Sequence, residues 1–157
     1  MNTGEKSNLK YGVLTAFSFI VYFMLLKTIG LSDHAWLRFF NAFLLGVGIY
    51  SSIRSAKKIG SGNVRYFNGV KDGLVTGIVA TLVFVAFMTL YMYGIDTDFH
   101  KRILKQWFDE YTHGPILLLF LLLVEGISSS FILTLLVMQK EKTNWNSRFS
   151  KKTHQNA

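Results

Sequence analysis

The sequence predicts an all-α fold, a four-helix transmembrane bundle with a short amphipathic interfacial helix between helices 3 and 4. Three observations carry that prediction. Half of the 157 residues are hydrophobic although the formal net charge is +8. The apolar and charged residues fall in separate blocks, where a soluble basic protein would intersperse them. Four apolar runs, 11–29, 36–53, 73–94 and 115–139, are each about long enough to cross roughly 30 Å of hydrocarbon at about 1.5 Å per residue. A soluble helix shows a polar stripe at a period of 3.6, whereas "ILLLFLLLV" at 116–124 has no polar position.

The first run follows Lys6 and Lys10, as in a signal peptide, but it is too long for one and no small-x-small cleavage site follows it. It reads as an uncleaved first transmembrane helix. "GLSDHA" then joins helices 1 and 2 closely enough to make them an antiparallel pair. Helix 3 places Gly69, Gly73 and Gly77 four apart and continues to Thr81. This spacing makes a smooth ridge against which another helix backbone can lie. Helix 4 repeats the device with Gly126, Ser130 and Thr134, and weaker versions occur at Gly12 and Ala16 and at Ala42 and Gly46. Between helices 3 and 4, Phe99, Ile103, Trp107 and Tyr111 recur every four residues with charges opposite them. They predict an amphipathic interfacial helix over 98–111, capped by Asp98 or Thr97. Pro115 opens helix 4, where its missing N–H costs nothing. The basic tail, 140–157, is expected to be disordered.

Lysine and arginine are unevenly shared between the two sides. One side holds Lys6, Lys10, Arg54, Lys57, Lys58, Arg65, Lys71, Lys140, Lys142, Arg148, Lys151 and Lys152; the other holds Lys27, Arg38, Lys101, Arg102 and Lys105. Positive residues mark the cytoplasmic face, so the expectation is an inner (cytoplasmic) membrane protein with both termini cytoplasmic. Trp36, Tyr91, Tyr93, Trp107 and Tyr111 would lie near the outer interface. The basic face suits anionic lipid headgroups, and without a recognition motif no nucleic acid is expected.

There is no cysteine, which excludes disulfides, thiol catalysis and thiolate metal sites. No nucleophile elbow, P-loop or zincin pattern occurs. His34, His100 and His113 share the acidic side but sit in two loops without ligand spacing, so they read as surface residues. No catalytic residue, metal or cofactor is expected.

"YSSIRSAKKIGSGNVRYFNGVKDGLVTGIVATLVF", "YMYGIDTDFH" and the final "LLVMQK" together resemble an uncharacterised bacterial family of four-helix integral membrane proteins, a domain of unknown function. The shared features are the basic loop between helices 2 and 3, the aromatic-x-glycine opening of helix 3 (Phe67 to Gly69) and an acidic turn after it. The chain departs from the family's pattern in a shorter segment between helices 3 and 4 and in Glu125. The resemblance implies the architecture and brings no activity with it.

Glu125, in "LLLVEGISSSFIL", lies ten residues past Pro115, about 15 Å along the helix and near the midplane. A central carboxylate costs about 3 kcal/mol to insert, and sixteen Leu, Ile, Phe and Val residues at about 0.3–0.6 kcal/mol each outweigh it. Without partners it would take up a proton, so it is expected to face the bundle or a wet cavity. Ser128 and Ser129 follow it by one turn. Asn41 and Arg38 are the polar candidates on helix 2, expected about 7 to 12 Å shallower. Three roles stay open: neutral interhelical glue, a step in a proton or cation path, or pairing with a basic group on a partner. The sequence therefore points to a non-enzymatic accessory or scaffold subunit acting by lateral helix association, with a protein partner or as a homo-oligomer. The alternative is a small proton-linked channel or carrier using Glu125.

Overall fold

The computed structural model describes residues 3–31, 37, 39–59, 66–99, 101, 102 and 115–155, the side chains of 3–5, 57–59, 66 and 141–155 aside. Four helices make it up: α1 (Thr3–Ile29), α2 (Phe39–Ile59), α3 (Tyr66–Gly94) and α4 (Ile116–Gln155). No strand occurs among the described residues. Three of the helices are long and apolar enough to cross a membrane, over Lys6–Ile29, Phe67–Gly94 and Ile116–Lys140. Most of the amphipathic segment expected over 98–111 lies outside the described residues.

α2 runs antiparallel to α1: Tyr22 Oη donates to the Leu37 carbonyl at 3.0 Å, Gly48 faces Thr15, and Ser52 Oγ donates to Asn8 Oδ1 at 3.0 Å. α3 runs parallel to α1, with Gly12 against Val79 and Phe19 against Phe84. α4 returns antiparallel to α3. α2 and α3 form the short diagonal of the bundle, and α1 and α4 take the opposite corners. The four helices overrun the apolar runs mainly at one end, where Lys and Arg concentrate; it is called the basic end below. The expectation of disorder after Gln139 is not met, since α4 continues to Gln155. No glycine or proline follows Gly126 to stop it.

At its far end α1 stops in a Schellman motif. Gly30 adopts φ 79°, its N–H donates to Lys27 O at 3.0 Å, and Leu31 N–H donates to Leu26 O at 2.8 Å. A left-handed residue at this position is what glycine allows without a Cβ penalty. The far end of the core is aromatic. Phe23 meets Tyr91 at 5.0 Å and Phe99 at 5.5 Å, both edge to face. Phe99 is buried, so the chain beyond α3 folds back to close this end of the bundle. Tyr91, expected at the interface, is instead 1 % exposed, and Lys27 donates a hydrogen bond to its hydroxyl. Burial is possible there because the phenol has found a partner.

Candidate functional site

α4 is held to α3 by two interlocking rows of small residues. Gly73 faces Thr134, Gly77 faces Ser130, and Thr81 faces Gly126. The numbers fall by four on one helix as they rise by four on the other, so each glycine receives a hydroxyl side chain and none meets another glycine. A Cβ on Gly73 would lie 2.7 Å from Thr134 Cγ2, and one on Gly77 would lie 2.6 Å from Ser130 Cβ. Two of the hydroxyls turn back onto their own helices: Thr81 Oγ1 donates to Gly77 O at 2.9 Å and Ser130 Oγ to Gly126 O at 2.6 Å. Thr134 Oγ1, the third hydroxyl of the rows, is buried without a hydrogen-bond partner among the described residues. Gly69 is buried at the start of the same row. On α1 and α2 the tight approaches are Gly12 against Val79 and Gly48 against Thr15; Gly46 makes only an ordinary contact, 3.7 Å from Leu133.

This docking fixes Glu125. Its neighbour Gly126 points at Thr81, which turns Glu125 to the edge of the α3–α4 contact. Glu125 is exposed on the surface of the four-helix unit and is not enclosed by it. Of the two surroundings expected for it, the bundle or a wet cavity, the inward stripe of α4 is taken by Gly126, Ser130 and Thr134, and Glu125 borders an open cleft. Ser128 is exposed beside it and Ser129 is half-buried.

A cleft of about 50 Å³ opens next to Glu125, lined by Phe19, Asn41, Ala42, Leu45, Thr81, Phe84, Leu122, Glu125, Gly126 and Ser129. That volume holds a few waters at roughly 10–15 Å³ each. Asn41, expected about 7 to 12 Å shallower by residue count, shares this cleft with Glu125. Asn41 Oδ1 is buried and accepts no hydrogen bond. Arg38 lies outside the described residues.

A second polar cluster, at the basic end, was not legible in the sequence. Asn8, 3 % exposed, donates through Nδ2 to Asp72 Oδ1 at 2.6 Å and accepts from Ser52 Oγ. Thr76 Oγ1 and Ser52 Oγ are 2.7 Å apart, and Ser7 Oγ lies 3.2 Å from Ser55 Oγ. The network ties α1, α2 and α3 together with its members paired to one another, which suits a clamp better than a ligand site.

At the far end Asp96 takes Arg102 at 2.7 Å and Lys27 at 3.9 Å. The hydrogen bond from Arg102 holds the Asp96 carboxyl below the usual carboxylate range, and the Lys101 ammonium does the same for Asp98. Among the described residues no group of His, Asp and Glu is placed to hold a metal. His34, His100 and His113 lie outside them.

Membrane-crossing helices packed through small residues define a helical membrane protein. The chain belongs to the family described as protein of unknown function (DUF4199), whose model matches residues 10–114. This agrees with the resemblance carried by the basic loop and the opening of helix 3. The match covers α1 to α3 and ends before α4, so Glu125 lies outside it. No curated protein and no solved structure matches the chain.

Proposed function

We propose that the protein is a four-span accessory subunit of the inner membrane, with both termini cytoplasmic and no catalytic chemistry of its own, acting by lateral association of α4. One observation carries this reading: Glu125 is exposed on an otherwise apolar helix near mid-membrane. An ionisable group facing lipid at that depth is costly, and such groups are found facing other protein or water. The surroundings suit a helix partner. Leu121, Glu125, Ser128, Ile132 and Leu136 are all exposed, and their spacings of four, three, four and four make one continuous stripe on α4. α4 is also the least covered of the membrane-crossing helices, with 17 % of its apolar stretch buried against 39 % in α3.

A photo-cross-linking amino acid placed at Leu121, Ser128 or Ile132 in native membranes should give one discrete adduct. Placed at Phe17, on the exposed face of α1, it should give none. Stripe positions that yield no adduct, or the same adducts as Phe17, would remove the reading.

A second reading, a small proton-linked channel or carrier, is favoured by the cleft that joins Glu125 to Asn41, Thr81 and Ser129. Proton flux into liposomes that Glu125→Gln abolishes would establish it, and tight liposomes would reject it.

A further inference from the structure

Glu125 on α4 and Asn41 on α2 line one open cleft, and among the described residues neither Glu125 nor Asn41 Oδ1 receives a hydrogen bond. Glu125 is a carboxylate at the surface of the unit, and the cleft beside it ends on Asn41, whose buried Oδ1 receives no hydrogen bond. A buried acceptor left without a donor has given up its hydration for nothing. The remaining polar groups do not answer this need. The Thr81 hydroxyl is committed to Gly77 O, and Ser129 brings a single proton to a site with several lone pairs. The Asn41 amide N–H groups can serve Glu125 but not their own Oδ1, so what is missing is a positively charged N–H donor that reaches both.

We infer that the helix seated on the exposed α4 stripe carries a lysine or arginine, which enters beside Glu125 and also serves Asn41 Oδ1. This rests on the association reading and names the chemistry of its partner. Packed helices lie about 8–10 Å apart, within the reach of a long basic side chain. A second copy of this chain does not supply the charge. Two-fold pairing on this stripe would set one Glu125 opposite the other, like charge against like. Residues 11–26, 39–53, 73–93 and 116–139 contain no Lys or Arg to offer at that depth. The partner is a different chain with a basic residue near the middle of a membrane helix.

The purified protein in phosphatidylcholine liposomes supplies the test. Two synthetic Leu-Ala membrane helices serve as probes, identical except for a central lysine or norleucine, with binding followed by energy transfer. Wild type should bind the lysine helix about tenfold or more tighter, the lower end of what close charge pairs contribute. Glu125→Gln, the same shape without the charge, should bring the two helices within about twofold of each other while melting and eluting as wild type does. Asn41→Leu should reduce the lysine preference in part. Equal binding of both probes to wild type overturns the inference, as does a preference that survives Glu125→Gln. A preference seen only after Arg38→Gln also overturns it, because the counter-charge then lies within this chain. The two readings fail separately: cross-links at Ser128 without a lysine preference sink the inference and leave the association reading standing. Loss of the stripe cross-links and of all probe binding sinks both.

Discussion

Gly77→Ala adds a single methyl group at the middle pair of the α3–α4 contact. The new Cβ would sit 2.6 Å from Ser130 Cβ, where a relaxed carbon–carbon contact is about 3.5–4.0 Å. The helices must therefore part by about 1 Å at this point. Ser130 cannot turn the clash away, because its Cβ is fixed to the helix and only the hydroxyl can rotate. The pairs one turn to either side, Gly73 with Thr134 and Thr81 with Gly126, are loosened by the same movement. In lipid no hydrophobic term compensates for lost van der Waals contact between helices. Overpacking of this kind costs about 1–3 kcal/mol. The assay is thermal unfolding in mild detergent of Gly77→Ala, Ser130→Gly and the double variant. Gly94→Ala is the control, since a Cβ there meets nothing within 4 Å. Ser130→Gly removes the obstacle, so the double variant should be more stable than the sum of the singles by about 0.5–3 kcal/mol. Additive singles, or a Gly77→Ala curve no different from that of Gly94→Ala, would refute the interlock.

Three further outcomes are expected. Asn8→Ala leaves the Ser52 hydroxyl proton without its acceptor and Asp72 Oδ1 without its donor and should lower detergent stability by about 1–3 kcal/mol, while Ser51→Ala on the exposed side of the same turn should change little. Asp96, held below the ordinary carboxylate range by Arg102, contributes its stability in full above about pH 4 and loses it as the pH falls through its lower folded-state value. Melting curves of wild type and Asp96→Asn should thus differ at pH 6, by about 0.2–1 kcal/mol for so exposed a pair, and converge in stronger acid; a gap that widens on acidification contradicts the assignment. Reporter fusions at Ala157 and within 54–68 should give cytoplasmic signals and a fusion near Asp109 a periplasmic one, and a periplasmic carboxyl terminus would undo both the orientation and the span count.

The helices and the ridge were legible because each leaves a repeating mark. Gly73, Gly77 and Thr81 recur every four residues, as do Gly126, Ser130 and Thr134, and that period is a helix face. The match between the two rows was not legible, since register depends on three-dimensional docking. Asn8, Ser52 and Thr76 escaped notice for a related reason. Each is a single small polar residue with no partner nearby in sequence, and only the parallel run of α1 and α3 brings Asn8 to Thr76. Glu125 stands out in the sequence as the odd residue of helix 4, and desolvation leaves it two surroundings, the bundle or a wet cavity. Which of the two it borders follows from the packing of Gly126 on Thr81, which is not legible in the sequence. The helical continuation past Gln139 is not legible, because the apolar pattern that marks the membrane part of α4 ends there.

The corner position of α4 bears on the order of assembly. α1, α2 and α3 touch one another pairwise and share the clamp around Asn8, so they can close as a unit while α4 is still being made. Until α4 arrives, the groove over Gly73 and Gly77 stands open to lipid as a ready-made socket for any helix with small residues four apart. A newborn chain is therefore most vulnerable to mispairing in the interval between release of its third helix and arrival of its fourth.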